Sequence, residues 1–369
     1  MRTIPILLAI ALTLCVEDYA QQSPSKQAIS AGPIHSVTLE FKRDHVVPGL
    51  LASPALLGPL QCSSDGTVFM NSLVPPEFLH AELYAVSPSN EVHHFETARI
   101  SDLYDVHVMD FFPSADSVAL LVYATADKTQ SEGKTTLSNG DQQERAAFTG
   151  THHSYVVLFA PDGTYKKAVQ VQDESLDVRR LGVFDNGTIL VSGVHRYSKE
   201  PRLALLATDG SLLRLLDVPS SFGDLYKRGS TGSSTGPTIV PLTQMVQVGS
   251  TIVLAAPNSR SPVLEISPTG TVRAVKLALP SKTDVLQSMI PSAGRWYVRL
   301  ISEADGGNTN PGDPALYQVD PTNGKLMEQF HTGAVNPAEI ACAVGGRFIS
   351  METNDKQQFV IVTAEFADQ

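Results

Sequence analysis

The stretch from Leu181 to Pro219 decides the fold, and it reads LGVFDNGTILVSGVHRYSKEPRLALLATDGSLLRLLDVP. One apolar run enters the turn Asp185-Asn186-Gly187 and a second run leaves it, while a third and a fourth run flank Asp209-Gly210. Asn-Gly and Asp-Gly tolerate the positive φ that tight hairpin turns require. The stretch therefore predicts four antiparallel strands in succession, with no helix between them.

The same unit returns along the chain in six copies. Because no copy can bury both faces of its sheet alone, a four-stranded repeat without helices is typical of a β-propeller. We predict an all-β, six-bladed β-propeller of four-stranded antiparallel blades. The second strands are predicted at Thr67–Ser72, Val118–Ala124, Thr188–Val194, Thr251–Ala256, Arg295–Ile301 and Arg347–Glu352, and the third strands at Ala81–Val86, Ser154–Phe159, Arg202–Ala207, Pro262–Ile266, Ala315–Val319 and Gln358–Thr363.

The two ends of the repeat predict how the ring closes. The sixth copy stops at Gln369 before its fourth strand, and the alternating run His35–Phe41 near the N-terminus has no partner of its own. Pairing the two would remove two exposed strand edges at once. We therefore expect an N-terminal strand, His35–Phe41, to complete blade six, the alternative being a disordered leader.

The repeat resembles the six-bladed propellers of the NHL-repeat and TolB-like kind. The resemblance is carried by Asp185-Asn186-Gly187-Thr188 with Asp209-Gly210, and it extends from about residue 35 to the end of the chain. The second strand here reads Ile189-Leu190-Val191-Ser192, where many NHL repeats have Tyr-Val-Ala-Asp. The resemblance implies a fold, and a fold of this kind carries many unrelated functions.

Composition and the N-terminus predict an exported protein that does not bind nucleic acid. A net charge of −11 lacks the cationic face that phosphate binding needs. Arg2 followed by the apolar run Ile4–Val16 is typical of a signal peptide, too short to span a bilayer. We predict a signal peptide over residues 1–20, a leader over 21–34 and the propeller over 35–369, in a secreted or periplasmic monomer. A lipoprotein anchor at Cys15 is the alternative, although Leu14 stands where such a signal has a small residue.

Export would leave two cysteines, Cys62 and Cys342. In a secreted protein, two cysteines commonly form a disulfide. Both, however, stand four residues before a turn glycine (Gly66 and Gly346), in a column that is otherwise apolar. Equivalent positions in adjacent blades should point the same way around the ring, with Cα atoms on the order of 8 Å apart. We therefore predict two buried thiols.

Three long insertions are predicted to share one end of the propeller. Ala126–His153 and Ser302–Pro314 join second to third strands, and Ser220–Thr238 joins blade three to blade four. Connections of these two types leave a propeller at the same end, and long loops on a rigid scaffold are frequent binding sites. The opposite end, built from tight turns, is expected to be flat and featureless.

Residues at the start of the inner strands are the candidates for a ligand site at the tunnel mouth. A hard divalent cation needs several oxygen ligands together, and this ring has only two carboxylates, so the calcium site of gluconolactonase-type propellers is not predicted. The arginines favour an anion-binding pocket, with a ring of salt bridges and water as the alternative. The candidates are Arg179, Arg180, Gln287, Glu339, His107 and Asp110, with Gln244 also in the ring.

The motifs favour binding over catalysis. The sequence contains no Walker loop, His-Glu-x-x-His or Cys-x-x-Cys, and no catalytic residue, metal or cofactor is predicted. The pairs His93-His94 and His152-His153 could bind a metal only if they met in space. We predict a binding or scaffold module for a small polar or anionic ligand or a protein partner. The alternative is a secreted hydrolase, lactonase-like or carbohydrate-active.

Overall fold

A computed structural model describes residues 34–51, 60–73, 81–114, 116–128, 152–198, 200–217, 244–256, 260, 262–302, 314–333, 335–336, 340–356 and 358–366. Ala31–Gln369 forms one compact unit. Its strands form six sheets, each with four antiparallel strands and one with a fifth, parallel strand, arranged as the blades of a propeller, which confirms the predicted fold class. The described residues include no helix long and apolar enough to cross a membrane. The signal peptide and most of the leader lie outside the described residues and stay predictions.

The strands fall where the repeat predicts them, within about two residues. Blade one has β3–β6, blade two β7–β10, blade three β11–β14, blade four β15–β18, and blade five β19–β22, with β1 added outside β22. Blade six has β23, β24 and β25 with β2 as its outer strand. In chain order the strands are β1 His35–Thr38, β2 Lys42–Leu51, β3 Gln61–Cys62, β4 Val68–Leu73, β5 Ala81–Val86, β6 Val92–Phe95, β7 Tyr104–Pro113, β8 Val118–Thr125, β9 His153–Phe159, β10 Tyr165–Gln170, β11 Leu176–Val183, β12 Ile189–His195, β13 Pro201–Leu206, β14 Leu212–Leu216, β15 Gln244–Val248, β16 Thr251–Ala255, β17 Val263–Ile266, β18 Val272–Val275, β19 Asp284–Ile290, β20 Trp296–Ser302, β21 Ala315–Val319, β22 Leu326–His331, β23 Ile340–Val344, β24 Arg347–Thr353 and β25 Gln358–Glu365.

The core lies between the blades, because each sheet buries both of its faces against its neighbours. Every residue of β8 is buried, so this strand is a continuous apolar run rather than an alternating one. The outer strands are more polar, since they meet solvent along one edge: β10 has two exposed lysines, Lys166 and Lys167. This gradient explains why the second strands are the easiest to recognise in the sequence.

Glycine turns contact the backbone of the neighbouring blade at several interior seams, the name given to the blade boundaries other than the one where the ring closes. Gly210, at φ 83°, sits in the β13–β14 turn, and a Cβ there would lie 2.0 Å from the carbonyl oxygen of Gln170 in blade two. The Gln172 N–H donates to the Gly210 carbonyl at 3.2 Å. Gly324 repeats this contact between blades five and four, where a Cβ would lie 2.1 Å from the oxygen of Lys276. The turn therefore docks backbone to backbone, which only glycine permits.

The closure seam, the boundary between blades six and one, is built differently. An N-terminal strand completes blade six, as predicted, but that strand is β2, which pairs antiparallel with β25. The assignment of His35–Phe41 to blade six is wrong, because β1 instead pairs in parallel with β22 on the outer edge of blade five. Leu39 and Phe41, which follow β1, pack with Phe330 of blade five and Phe348 of blade six. The first segment therefore covers the seam between blades five and six, and the second closes the ring.

Cys62 and Cys342 form a disulfide across the closure seam, with Cα atoms 5.7 Å apart, so the prediction of two thiols is wrong. The reason is a difference in turn length. In blade one, Ser63 donates to Thr67 across a three-residue turn, whereas the blade-six turn contains only Gly345-Gly346. A shift of one residue moves a side chain to the other face of a strand. Cys62 and Cys342 are both four residues before a turn glycine, but because one turn is a residue shorter, the two side chains lie on opposite faces of their strands. They therefore face each other across the seam.

Candidate functional site at the mouth of the tunnel

A β-bulge recurs at the same point of four inner strands. In β7, β11, β19 and β23 the pairing with the second strand skips one residue. Bulges re-aim side chains and are frequent beside binding sites. In β11 and β19 the extra residues are Arg179 and Gln287, two of the predicted site residues. The predicted ring therefore coincides with a repeated irregularity in the strands that surround the tunnel.

Asp110 and Arg180 form an ion pair between blades two and three. Arg180 Nη1 donates to Asp110 Oδ1 at 3.1 Å, and the Leu181 N–H donates to Asp110 Oδ2 at 3.0 Å. The Asp110 side chain is 11% exposed. Burial raises the pKa of Asp110 above its ordinary value, although Arg180 and backbone N–H groups act in the opposite direction. The structure thus brings two of the predicted residues into direct contact.

Arg179 is held by a second buried network. Its Nη2 donates to Asp177 Oδ2 at 2.8 Å, and the Tyr123 hydroxyl donates to Asp177 Oδ1 at 2.5 Å. Burial, followed by the Asp177 charge, raises the pKa of Tyr123 far above its ordinary value. Sequence reasoning missed Asp177 and Tyr123. Asp177 could have been found, since residues two apart on a strand share a face with each other, whereas Tyr123 belongs to another blade and gives no such signal.

Two polar atoms in these bulges lack partners among the described residues. They are Arg179 Nε and Gln287 Oε1, both inaccessible to solvent. Arg179 as a whole is only 8% exposed. Buried donors and acceptors are nearly always satisfied by protein, water or ligand. A bound molecule with both an acceptor and a donor would satisfy these atoms once the side chains that cover them move aside, since water does not reach either atom.

His107 belongs to a separate cluster at the start of β7. Asp105 Oδ1 lies 3.1 Å from His107 Nε2, and Asp105 Oδ2 lies 2.9 Å from His152 Nε2. Asp105 adopts a φ of 50°, an unusual conformation for a non-glycine residue. His107 is also the cross-strand partner of Tyr123, which places this cluster beside the Arg179 network.

The predicted histidine pairs have different surroundings. His94 lies on the outer hairpin of blade one, where it stacks on Tyr84 at 4.5 Å between ring centroids and contacts Glu82. His152 instead contacts Asp105 in blade two. Within the described part of the chain, no group of three or more His, Cys, Asp or Glu side chains is arranged to hold a metal ion.

The remaining ring residues and the three insertions are only partly described. Glu339 lies outside the described residues, as do the side chain of Gln244 and nearly all of Ala126–His153, Ser220–Thr238 and Ser302–Pro314. The flanking strand ends are described. Tyr104 pairs with Thr125, and Asp284 pairs with Ser302, so both second-to-third-strand insertions leave from the end where the inner strands begin.

The opposite end is not featureless, which corrects the prediction. A cavity of about 250 Å³ opens there at the closure seam. Blade one docks on blade six through Asn90, whose Nδ2 donates to the Val46 carbonyl at 3.3 Å, instead of through a glycine turn. A docking contact through a side chain holds the two backbones farther apart, and this leaves space at the seam. The cavity is lined by Asp44, Ser64, Asp65, Gly66, Val68, Val86, Ser87, Pro88, Val344, Gly345, Arg347, Ile349, Ile361 and Thr363.

Comparisons with known proteins found similar chains among solved structures. No protein-family model matches the chain, and no curated protein matches it. Among solved structures, a streptogramin B lyase is 11% identical over 88% of this chain and 98% of that chain, with a TM-score of 0.43. Virginiamycin B lyase from Staphylococcus aureus is 9% identical over 89% and 100%, with a TM-score of 0.42. Trypanosoma rangeli sialidase is 12% identical over 84% and 54%, with a TM-score of 0.41. Identities this low carry no inference about activity.

Proposed function

We propose that this β-propeller is an exported binding module that holds a small anionic ligand at the tunnel mouth. The observation that carries the proposal is the buried Arg179 Nε, a charged N–H donor without an acceptor among the described residues. Asp177 holds the same guanidinium through Nη2, and Tyr123 holds Asp177. The donor is therefore held in place before a ligand arrives, which lowers the entropy lost on binding.

The charge balance favours a small ligand with a single carboxylate. Asp177 and Asp110 already offset the charges of Arg179 and Arg180. An arginine with a free edge can still donate a charge-assisted hydrogen bond to a carboxylate. A sugar acid or hydroxy acid fits this arrangement, since its hydroxyl groups could donate to an acceptor such as Gln287 Oε1.

The hydrolase alternative needs carboxylates that are available for acid–base chemistry. In the described part of the tunnel mouth, Asp110 and Asp177 each face an arginine and accept a second hydrogen bond. This arrangement favours binding over hydrolysis.

Export is supported by the cysteines as well as by the predicted signal peptide. Disulfides persist in oxidising compartments and are rare in the cytosol. Cys62 and Cys342 are bridged, and their side chains are buried at the closure seam. A secreted or periplasmic location is therefore part of the proposal.

The test is a binding titration of the chain from Gln21 onward against sodium gluconate, glucuronate, citrate and acetate, measured by calorimetry. Losing a hydrogen bond to a charged group costs about 1.5–3 kcal/mol. Arg179→Ala should therefore weaken binding of the preferred anion by roughly ten- to a hundredfold. Arg202→Ala is the matched control, because it removes an arginine paired with Glu200 on the outer half of the same blade.

Arg179→Lys separates charge from geometry, since lysine keeps the charge but lacks the forked donors. Its affinity should fall nearly as far as that of the alanine variant. Equal affinity of the wild-type protein, Arg179→Ala and Arg202→Ala for every anion that binds would refute the proposal.

A further inference from the structure

Asp110 occupies the position on Arg180 that an incoming carboxylate would take. One of its oxygens accepts from the guanidinium and the other accepts from the Leu181 N–H. The side chain is almost fully enclosed, so water cannot readily screen a second negative charge placed beside it. Two carboxylates that share one cation in a buried site cannot both stay ionised without a large penalty.

We infer that the site takes up one proton together with its anion, and that Asp110 is the residue that accepts this proton. The inference rests on the proposed function, since it concerns the same anion at the same arginines. On protonation, Asp110 becomes a neutral group, and Arg180 then becomes available to the ligand carboxylate. The proton comes from the buffer and returns to it when the ligand leaves, so the net charge of the site is unchanged by binding.

The surroundings of Asp110 leave few other groups to compensate a second anion. Arg180 faces it from β11, and the neighbouring charges Arg179 and Asp177 are paired with each other. From blade one, the amide of Gln61 donates to the carbonyl of Phe111, which is a neutral contact. Behind it, the cross-strand partner in β8 is an apolar leucine, Leu121. On its own strand, His107 contacts Asp105.

The pKa of Asp110 is consistent with this role. Burial already raises it above the ordinary value in the unliganded protein. A ligand carboxylate nearby would raise it further, because like charges favour the protonated form. Affinity should therefore be highest below the pKa of the free site, fall as the pH rises through it, and level off above the pKa of the complex.

The inference also sets a preference among ligands. One proton offsets one negative charge, so a monocarboxylate such as gluconate leaves the site no more negative than before. Citrate, with three carboxylates, would add charge that Asp110 cannot offset. Gluconate should therefore bind more tightly than citrate, and the difference should grow as the pH rises.

The experiment is calorimetry with sodium gluconate between pH 5 and 8, in pairs of buffers that differ in their enthalpy of ionisation. In the range where affinity falls, we expect close to one proton taken up per ligand and a loss of about tenfold per pH unit. Asp110→Asn, which keeps an acceptor for Leu181, should bind gluconate at least as tightly at pH 8 and take up no proton. Glu200→Gln breaks another arginine pair in blade three and should behave as wild type.

The outcomes separate this inference from the proposed function. Absence of binding of gluconate, glucuronate, citrate and acetate at every pH, in the wild-type protein and in Asp110→Asn, would overturn both. Binding that depends on Arg179 but shows no proton uptake would overturn the inference and leave the proposed function intact. The number of protons that the wild-type protein takes up per bound ligand tests the inference even if Asp110→Asn fails to fold.

Discussion

Neighbouring blades are held together by different contacts at the interior seams and at the closure seam. At the seam between blades two and three, Gly210 brings two backbones together, and the ion pair of Asp110 with Arg180 between the inner strands adds to the contact. Among the described residues, the closure seam has no docking glycine of this kind. It has instead the N-terminal strand β2 paired with β25, a disulfide and a cavity. At an interior seam the two blades follow each other in the chain, whereas at the closure seam the first and last blades of the propeller come into contact.

The comparison indicates where stability is local and where it depends on distant parts of the chain. An interior seam joins residues close in sequence, such as Gln172 and Gly210. The closure seam joins Lys42 to Thr363 and Cys62 to Cys342, which are 280 residues apart in the case of the cysteines. We therefore expect the two kinds of seam to respond differently to changes in the chain, and four experiments test this.

The largest effect should come from removing β2. A chain that begins at residue 52 leaves β25 with an open edge and loses the buried Val47. We expect it to lose on the order of 5 kcal/mol or more, which lowers Tm by about 10 °C in a domain of this size. A chain that begins at Lys42 keeps β2 but lacks β1, Leu39 and Phe41, and it should lose about half as much. Equal melting of the two truncated chains in thermal denaturation would contradict the assignment of β2 as the closing strand.

The disulfide should have the next largest effect. Replacing both Cys62 and Cys342 by alanine removes a link that closes a very long loop, which typically costs 2–5 kcal/mol. Thermal melts of the variant, and of the wild-type protein with and without reductant, measure the loss. Intact mass adds an independent check, because the unreduced protein should be lighter than the reduced protein by two hydrogens. A mass that shows two thiols would contradict the bridge.

A pair of glycine substitutions compares the two seams directly. Gly210→Ala places a Cβ against the Gln170 carbonyl and should cost about 3 kcal/mol, from strain and overpacking together. Gly345→Ala at the closure seam also has a positive φ, 58°, but its Cβ would meet nothing within 4 Å. It should cost only about 1 kcal/mol. Similar losses of unfolding free energy in denaturant titrations would show that backbone docking does not distinguish the seams.

The smallest expected effect is an increase in the free energy of unfolding. Val86→Ile adds one methylene into the cavity at the closure seam and should stabilise the protein by up to about 1 kcal/mol. Val191→Ile makes the same change in the fully buried core of blade three and should destabilise by about 1 kcal/mol or more. A loss of stability for both variants would indicate that the cavity cannot accept a methyl group.

The fold was largely predictable because turns and apolar runs are local signals. Asp185-Asn186-Gly187 and Asp209-Gly210 mark strand ends without knowledge of the rest of the chain. The partner of the N-terminal segment was not predictable in this way. His35–Phe41 alternates well, which indicates a strand but says nothing of its neighbour. The true closing strand, Lys42–Leu51, contains Pro48, which an outer edge strand tolerates because its outward N–H groups need no partner in the sheet.

The candidate site was predictable only in outline. Repeat alignment placed Asp110 and Arg180 near the tunnel, since each stands close to the start of an inner strand. Their contact depends on bulges in β7 and β11 that shift the side chains by one residue. No local pattern distinguishes a strand with a bulge from one without. The prediction of two thiols failed for a similar reason, because a one-residue difference in turn length placed one cysteine side chain on the other face of its strand.

The pairing of β2 with β25 also has a consequence for how the chain reaches its folded state. Synthesis delivers the N-terminal end first, so β2 exists long before residues 358–365 emerge. Contacts between residues so far apart in sequence form slowly, and an open strand edge is prone to pair with other chains meanwhile. We expect the first five blades to become ordered before the sixth. Ring closure would then be the slowest step in folding, and the step at which dilution or a chaperone most improves the yield of folded protein.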